Sequence, residues 1–377
     1  MTETPTETKI AFRADASIQI GTGHVMRCLT LAEELRRQGH ECLFICRAHE
    51  GHLGDLISQK GFELHLLANP EPQEAPDDCG PKLAHAEWLG CTWQKDAEQV
   101  KAILNQQKPS WLVVDHYALD ASWEREVASA VGQIMVIDDL ADRAHQADML
   151  LDQNVLNCEM EERYRKRLNS ECILFLGPRY ALLGQEYSFL ANALPERNGE
   201  VSRALVFVGG SDPHHLTERY LKALSVPEFR HILVDVVIGK NHPAPEAVTE
   251  LVSRRYGTTL YSGLPTLAAL MVRADLMLGA GGATNRERMC LGLTSVVVSV
   301  ARNQDQINSE LADQALIHFL GKAETTAVGA IQTVLSSVLS DTSANLVHSK
   351  AMRQVVDGRG AERVALLMQE AAKHAIA

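Results

Sequence analysis

The sequence predicts an α/β protein made of two Rossmann-like domains. Short apolar runs alternate with segments of helical periodicity through most of the 377 residues, a pattern typical of parallel sheets covered by helices on both faces. Glycine-rich turns between a strand and a helix occur near residues 21, 209 and 281. The chain is also long enough for two domains, each with its own core. We therefore expect two sheets that face each other across a cleft.

The predicted first domain covers residues 1–175. Apolar runs predict buried strands, and apolar residues spaced three and four apart predict helices. The strands are expected at 10–12, 40–46, 62–67, 111–115, 134–138 and 149–152, and the helices at 24–39, 51–60, 96–106, 122–131 and 159–166. Ser122 is expected to cap the fourth of these helices. Segment 69–80, rich in Pro and Asp, is predicted to be a long loop that serves as a lid or a mobile connection.

The predicted second domain covers residues 201–377 and follows a linker at 176–200. Its strands are expected at 204–208, 231–238, 259–261, 276–278 and 295–300, and its helices at 215–224, 285–291 and 361–375. The same order of strand, glycine turn and helix begins both domains. The last helix can extend back from the second domain and pack on the first domain.

The stretch 13–27 contains the first group of candidate functional residues. His24 begins a helix just after the first strand, and ligands of open α/β sheets bind beyond the carboxyl ends of strands. Such a helix start also favours an anion. The polar and glycine residues around His24, which we predict to contact substrate or to act in catalysis, are Arg13, Asp15, Ser17, Gln19, Gly21, Gly23 and Arg27. A histidine after Gly-x-Gly can equally be a helix cap or a surface residue.

Two glycine turns in the second domain are candidate phosphate loops. Backbone N–H groups at such turns can hold a pyrophosphate, and a hydroxyl can add a further contact. The residues predicted to bind the pyrophosphate of a nucleotide are Gly209, Gly210 and Ser211 in one turn, and Gly281, Gly282, Ala283 and Thr284 in the other. Glu287 lies one turn into the following helix, where it can accept hydrogen bonds from both ribose hydroxyls. It can also be an ordinary first-turn acid, favoured by the helix dipole.

Composition excludes several classes of partner. The net charge of −12 argues against a nucleic acid held by electrostatic attraction. Eight cysteines without a C-x-x-C pair indicate free thiols in a reducing cytoplasm. A zinc site from His40, Cys42, Cys46 and His49 is disfavoured because both cysteines lie in a strand-like run. The N-terminal residues lack the features of a signal peptide, and no run is apolar enough for a membrane span. We expect a cytoplasmic protein without a metal or cofactor, monomeric by default.

Residues 13–27 closely resemble the N-terminal signature of the UDP-sugar hydrolases of pseudaminic acid biosynthesis. These enzymes release UDP from UDP-2,4-diacetamido-2,4,6-trideoxy-β-L-altropyranose, a precursor of nonulosonic acids in surface glycans. The resemblance recurs at residues 115–117, 138–139, 180–183, 209–212, 279–287 and 303–304. It therefore covers most of the chain, and its first and last blocks are the most specific.

The resemblance implies the two-domain GT-B fold and hydrolysis at the anomeric carbon, with C–O cleavage and inversion. It also implies that Tyr117 lies in the active site and that Glu287 binds the ribose. Such a reaction needs a base for water and stabilisation of the departing UDP, and we predict that His24 is this base. Either Asp15 or Asp138 can orient the imidazole or the sugar, and the sequence does not decide between them. Asn303 and Gln304 can bind sugar hydroxyls or acetamido groups, or form a polar turn.

Several alternatives share these features. A glycosyltransferase or a non-hydrolysing UDP-sugar 2-epimerase would have the same fold and the same UDP loops. A catalytically silent nucleotide-sugar binding module, or a hydrolase for a stereoisomeric UDP-diacetamido sugar, is equally compatible with the pattern. We interpret His116 as a core residue, and we assign no role to His85 and Trp88.

Overall fold

The chain folds into two compact units, which we describe from a computed structural model covering residues 8–69, 83–154, 157–239 and 241–376. Unit 1 comprises Met1–Leu182 and Gly360–Ala377, and unit 2 comprises Leu183–Arg359. Each unit has one sheet whose described strands pair in parallel. The predicted fold class of two Rossmann-like α/β domains is therefore confirmed.

Unit 1 is built on a seven-stranded sheet. Its strands are β1 (Lys9–Ala14), β2 (Glu41–Arg47), β3 (Glu63–Leu67), β4 (Trp111–Asp115), β5 (Gln133–Ile137), β6 (Met149–Asp152) and β7 (Ile173–Leu176), and its first five helices are α1 (Gly23–Arg37), α2 (Gly54–Gln59), α3 (Trp93–Gln107), α4 (Ala121–Val127) and α5 (Cys158–Arg165). The strand order is β3-β2-β1-β4-β5-β6-β7. On β1, Ile10 and Phe12 pack into the core under one face, and Ala11 packs into the core on the other. Because both faces are covered, the strands are continuous apolar runs.

The described structure corrects one predicted helix. Helix α4 ends at Val127 and is followed by a short 3-10 turn, Ala128–Ala130. Its cap is Asp120 rather than Ser122, because the Asp120 carboxylate accepts a hydrogen bond from the Ser122 backbone N–H at 2.8 Å. Residues 70–80 of the predicted loop lie outside the described residues.

Unit 2 is built on a six-stranded sheet. Its strands are β8 (Arg203–Phe207), β9 (Leu233–Ile238), β10 (Thr258–Ser262), β11 (Leu276–Ala280), β12 (Thr294–Ser299) and β13 (His318–Lys322), and its helices are α6 (Gln185–Ala193), α7 (Leu216–Leu224), α8 (Pro245–Arg254), α9 (Ala268–Arg273), α10 (Thr284–Cys290), α11 (Asp305–Asp313), α12 (Val328–Ser340) and α13 (Thr342–Val355). The strand order is β10-β9-β8-β11-β12-β13.

The boundary between the units differs from the predicted linker at 176–200. Residues Pro178–Tyr180 form a 3-10 turn in unit 1, whereas α6 already belongs to unit 2. Arg353 of α13 donates a hydrogen bond to the Ala191 carbonyl of α6. Of the predicted linker, residues 185–193 are therefore a packed helix, and residues 194–200 lie outside helices and strands.

The last helix, α14 (Gly360–Ile376), belongs to unit 1. Its apolar residues Val364, Ala365 and Met368 lie in the same core cluster as residues of α1. The Gln369 amide also donates a hydrogen bond to the Gln38 side chain at 2.5 Å. Unit 1 is thus completed by the C-terminal end of the described chain.

Candidate active site

The carboxyl ends of β1 and β4 mark the switch point of the unit 1 sheet. Strands β1 to β3 extend to one side of this point and β4 to β7 extend to the other. Ala14, at the end of β1, is paired with Asp115, at the end of β4. Open α/β sheets bind ligands at such a point. Helix α1 begins here, which brings His24 next to Asp115.

His24, Asp115 and Arg27 form one hydrogen-bonded group. The Nδ1 atom of His24 lies 2.6 Å from an Asp115 carboxylate oxygen. Arg27 donates two hydrogen bonds to the same carboxylate, at 2.5 and 2.7 Å. Asp115 is fully buried, and 8% of the His24 side chain is exposed. The base candidate is therefore fixed by an interior ion pair while one edge of its ring remains accessible.

The charge of Asp115 determines where the proton of His24 lies. Burial by itself would raise the pKa of Asp115, but Arg27 and His24 lower that pKa below its ordinary value. A carboxylate can only accept hydrogen bonds, so the Nδ1 atom of His24 must donate to it. We therefore assign the lone pair of the neutral imidazole to Nε2, the nitrogen that a general base uses.

This arrangement corrects the expectation that Asp15 or Asp138 orients His24. The Asp15 carboxylate is paired with Arg13, at 2.6 and 2.9 Å. The Asp138 carboxylate is paired with Arg143 at 2.8 Å. Burial alone would raise the pKa of Asp138, but Arg143 lowers it to about 2. Asp115 takes the role instead, because its strand is the direct neighbour of β1.

Arg13 and Asp15 belong to a buried charge network beneath the switch point, not to an exposed surface. Both are 0% exposed. Arg13 also contacts Asp96 at 2.7 Å, and Asp96 accepts a further hydrogen bond from Arg47. Arg13 is bound to Asp15 and Asp96, and Asp15 is bound to Arg13 and to the Arg47 backbone N–H, so the described contacts do not support the predictions that Arg13 contacts substrate and that Asp15 is catalytic.

His116 completes this network as a core histidine. Its Nδ1 atom accepts the Ala118 backbone N–H at 3.1 Å, and its Nε2 atom faces the Asp15 carboxylate at 3.2 Å. Burial lowers the pKa of His116, so the ring is neutral near pH 7 with the proton on Nε2.

Tyr117 lies directly beside His24. The two ring centroids are 4.5 Å apart with an interplanar angle of 86°, an edge-to-face contact. The Tyr117 hydroxyl donates a hydrogen bond to Asp139, which also accepts one from Arg27 at 3.1 Å. Burial and the Asp139 charge raise the pKa of Tyr117, so it is a neutral phenol at physiological pH. The predicted Tyr117 and the unassigned Asp139 thus extend the group around His24.

His85 and Trp88 also contact this group through Tyr117, although no role was predicted for them. The Trp88 and Tyr117 rings are stacked at 5.7 Å, and His85 lies 5.4 Å from Tyr117. This contact could not be predicted because the two residues lie just before α3, far from Tyr117 in the chain. Only the aromatic composition of the segment 85–88 could have indicated it.

The turn before α1 is closed by local hydrogen bonds. The Ser17 hydroxyl accepts the backbone N–H groups of Gln19 and Ile20 at 3.1 and 2.9 Å. Gly21 has a φ of +80°, which an L side chain rarely adopts. Gln19 and Gly23 are exposed, so this turn retains backbone and side-chain groups that a ligand can reach.

The carboxyl ends of β8 and β11 mark the corresponding switch point of unit 2. The turn after β8 contains Gly209, with a φ of +134°, and the exposed Gly210 and Ser211. A Cβ atom on Gly239 would lie 2.0 Å from the Gly210 carbonyl oxygen. The turns that follow β8 and β9 are therefore packed tightly together, which fixes the predicted loop.

Asn308, which was not singled out from the sequence, packs against the turn after β11. A Cβ atom on Gly281 would lie 2.1 Å from the Asn308 amide, so only glycine fits there. Asn308 accepts a hydrogen bond from Asn285 and donates one to Ser299, both at 2.9 Å. Ala283 is exposed, and Gly282 and Thr284 are half-buried.

Gln304 lies beside this turn, with its side-chain nitrogen 3.5 Å from a Cβ built on Gly282. Its carbonyl accepts the Val300 backbone N–H at 3.0 Å, and Asn303 is exposed. The half-buried Glu287 is hydrogen bonded to the Tyr187 hydroxyl, while burial raises its pKa. Within unit 2, the predicted UDP-binding residues and Gln304 thus surround one switch point.

A third cluster, in unit 2, has the spacing of a cation site. Single ligand atoms of Asp212, Glu218 and His242 lie within 4.8 Å of one another. However, the Nδ1 atom of His242 accepts the Ala244 backbone N–H at 3.1 Å. The ring proton of neutral His242 is then on Nε2, which leaves that atom without a lone pair for a metal. The cluster therefore favours hydrogen bonding over metal binding.

Comparison with known proteins identifies distant relatives. No protein-family model matches the chain. A UDP-2,4-diacetamido-2,4,6-trideoxy-β-L-altropyranose hydrolase of Campylobacter jejuni is 22% identical over 308 residues, covering 81% of this chain and 96% of the hydrolase. Spore coat polysaccharide biosynthesis protein SpsG of Bacillus subtilis is 22% identical over 358 residues, covering 95% and 96%. An uncharacterized protein of Methanocaldococcus jannaschii is 23% identical over 315 residues, covering 82% of this chain but 58% of the archaeal protein.

Solved structures show the same fold. The glycotransferase of kitacinnamycin superposes with a TM-score of 0.66 at 18% identity, covering 97% of this chain and 99% of that one. MurG of Acinetobacter baumannii gives 0.62 at 15% identity, covering 96% and 99%. A UDP-N-acetylglucosamine 2-epimerase gives 0.58 at 12% identity, covering 95% and 94%. No helix in the described ranges is both long and apolar enough to cross a membrane. The expected GT-B fold is therefore confirmed, and the chain is a distant homologue of a UDP-sugar hydrolase.

Proposed function

We propose that this protein is a UDP-sugar hydrolase that uses His24 to activate water for attack on the anomeric carbon. The observation that carries the proposal is the His24–Asp115–Arg27 group at the switch point of unit 1. Asp115 holds the proton of His24 on Nδ1, so Nε2 can accept a proton from water. The negative charge of Asp115 then stabilises the imidazolium that forms. This is the support that a general base needs.

Unit 2 supplies the binding site for UDP in this proposal. The exposed backbone of the turns 209–211 and 281–284 can donate hydrogen bonds to the pyrophosphate. Glu287 accepts the ribose hydroxyls, with Tyr187 holding its carboxylate. Negative charge develops on the departing UDP as the C–O bond breaks. The hydrogen-bond donors of these turns stabilise that charge and so assist the cleavage.

The sugar is proposed to be a 2,4-diacetamido-2,4,6-trideoxyhexose, released with inversion. Water delivered by a single base to one face of the anomeric carbon displaces UDP from the other, which inverts the configuration. Asn303 and Gln304 are the candidate partners of the acetamido groups, and Ser17, Gln19 and the glycines 21 and 23 are further candidate contacts. The 22% identity to the Campylobacter jejuni hydrolase supports this substrate.

A panel of UDP-diacetamido-trideoxyhexoses, incubated without any acceptor and followed by NMR, tests the reaction. We expect release of UDP and a free sugar whose first-formed anomer is inverted. Hydrolysis in ¹⁸O-water should label the sugar and leave UDP unlabelled. Label in UDP would refute attack on carbon, a 2-epimerised product would indicate an epimerase, and turnover only with an added acceptor would indicate a glycosyltransferase. The same assay in excess chelator tests our expectation that no divalent cation is needed.

A further inference from the structure

Three aromatic rings adjoin the group around His24 and form what we call the aromatic platform, defined as His85, Trp88 and Tyr117. The ring centroids of His85 and Trp88 are 4.4 Å apart, and those of His85 and Tyr117 are 5.4 Å apart. Trp88 and Tyr117 are stacked at 5.7 Å with their planes 30° apart. Because Tyr117 also touches His24, the platform is continuous with the base candidate.

The backbone holds the platform in place. Trp88 lies in a 3-10 turn, Ala86–Leu89, whose end is Gly90 at a φ of +73°. A Cβ atom on Gly90 would lie 2.8 Å from the His49 ring, so this turn is packed closely onto unit 1. The rings are therefore presented by an ordered segment rather than by a free side chain.

Exposure distinguishes two rings of the platform, His85 and Trp88, from the core, whereas Tyr117 is buried at 6% exposed. The core tryptophans Trp111 and Trp123 are 1% and 0% exposed, whereas Trp88 and His85 are only half-buried. Burial also lowers the pKa of His85, so this ring is uncharged near neutral pH. The platform thus presents neutral aromatic surface close to His24.

The polar groups next to the platform are already paired with one another. The Tyr117 hydroxyl donates to Asp139, which binds Arg27, and Arg27 is also bound to Asp115. Arg143, which lies 5.7 Å from the Tyr117 ring centre, is paired with Asp138. These charged and hydroxyl groups are therefore engaged with each other, so a ligand that lies on the platform contacts chiefly the ring of the half-buried Trp88.

We propose that the aromatic platform binds the apolar part of the sugar, its C–H face and a methyl group, and selects 6-deoxy sugars over sugars that carry a 6-hydroxymethyl group. This inference rests on the proposed function and names the recognition element of the same site. A hydroxyl group placed against the rings would lose its hydrogen bonds to water without replacement. A methyl group placed there gains contact, and one such group in an apolar site is worth roughly 10–200-fold in selectivity.

The test compares Trp88→Phe and Trp88→Ala with the wild-type enzyme, using UDP-linked N-acetylated sugars that carry either a 6-methyl or a 6-hydroxymethyl group. We expect kcat/KM for the 6-methyl substrate to fall by roughly 10–200-fold in Trp88→Ala, less in Trp88→Phe, with the preference between the two substrates reduced. Trp93→Phe is the matched control, since Trp93 is a half-buried tryptophan at the start of α3 that packs against a core cluster and not against Tyr117 in the described contacts. Its selectivity should match the wild type.

Binding measurements separate this inference from the proposed function. Calorimetry with the His24→Gln variant measures the affinity for the two UDP-sugars and for UDP without turnover. Trp88→Ala should weaken binding of the 6-methyl UDP-sugar while UDP affinity stays unchanged. A wild-type enzyme that hydrolyses UDP-sugars, with Trp88→Ala retaining full selectivity and affinity, would overturn the platform and leave the hydrolase standing. If the wild-type protein hydrolyses no UDP-sugar, but Trp88→Ala removes the 6-methyl selectivity in binding, the hydrolase proposal would be overturned and the platform would stand.

Discussion

Replacing Asp115 by Asn is the sharpest test of the group around His24. The substitution keeps the size of the side chain but removes its charge and one acceptor oxygen. In the native protein the carboxylate accepts from the Nδ1 atom of His24 and twice from Arg27. An amide cannot accept all three of these hydrogen bonds, because one of its two heavy atoms is itself a donor.

Both outcomes of this conflict harm the reaction. If the amide nitrogen faces His24, it donates to Nδ1 and moves the ring proton to Nε2, which removes the base. If it faces Arg27, two donors oppose each other in the interior. General base catalysis contributes about 10²–10⁴ in rate, so kcat should fall within that range. Breaking a buried ion pair by removing one partner costs about 3–5 kcal/mol of stability, so the folded fraction must be measured alongside.

The control for this loss of stability is Asp15→Asn. Asp15 is equally buried and is paired with Arg13, so its loss also weakens the fold. It makes no contact with the Nδ1 atom of His24 in the described structure, and kcat per folded molecule should fall much less than in Asp115→Asn. UDP affinity, measured by calorimetry, should stay within a few-fold in both variants. A folded Asp115→Asn enzyme with near-wild-type kcat, or a larger kcat loss in Asp15→Asn, would refute the assignment.

Three further outcomes follow from the same contacts. His24→Gln, which cannot accept the proton, should lower kcat by about 10²–10⁴ in stopped assays while UDP affinity measured by calorimetry changes little. Glu287→Ala should weaken UDP binding by about 1–3 kcal/mol, with Glu310→Ala, a half-buried acid of α11 bound to Gln306, as the control; unchanged affinity would remove Glu287 from the site. Burial raises the pKa of Asp152 from 3.8 to about 7, so the stability that its proton contributes is fully present below about pH 4 and is lost progressively between pH 4 and pH 7. At about 1.4 kcal/mol per pH unit, this loss amounts to at most about 4 kcal/mol, so Asp152→Asn should raise the denaturation midpoint much more at pH 8 than at pH 4, and an equal effect at both pH values would refute it.

The pH behaviour expected of Asp152 depends on a single proton in the interior. The Tyr164 hydroxyl lies 2.9 Å from Asp152 and 3.2 Å from Asp138. It has one hydrogen, so it can donate to only one of two carboxylates. Burial opposes the charge of Asp138, but the paired Arg143 outweighs it and keeps Asp138 ionised, so a protonated Asp152 resolves the conflict by donating to the tyrosine oxygen. An asparagine nitrogen can make the same donation at every pH.

The fold could be predicted from the sequence because its signals are local. Each buried strand is a continuous apolar run, and each helix has a three- and four-residue repeat. The glycines at 21, 209 and 282 mark turns with φ values of +80°, +134° and +128°. The start of the helix that Asp120 caps and the end of unit 1 at Leu182 were harder to predict. The residue types found at a helix cap or on a polar helix face also occur in loops.

The group around His24 could be predicted only in part, because pairing between strands is not local. His24 and Tyr117 were found from the motifs that contain them. Asp115 was quoted in the same motif, but choosing it over Asp15 required knowing that β4 lies beside β1 and that Asp15 faces Arg13. Trp88 approaches Tyr117 from a segment 29 residues earlier in the chain, and no periodicity in the sequence records that contact.

The division of labour between the two units explains why the proposed reaction depends on unit 1. The glycine turns of unit 2 lie at the switch point of its sheet and are proposed to bind UDP, a role that a transferase or an epimerase of the same fold could share with a hydrolase. The His24 ring, with its proton fixed by an ionised carboxylate that Arg27 also binds, is instead suited to activating water. Changes in unit 1 should therefore alter kcat and sugar selectivity while UDP affinity remains, and changes at Glu287 should do the opposite. If both kinds of change reduced UDP affinity alone, His24 would be a binding residue and the hydrolase proposal would lose its base.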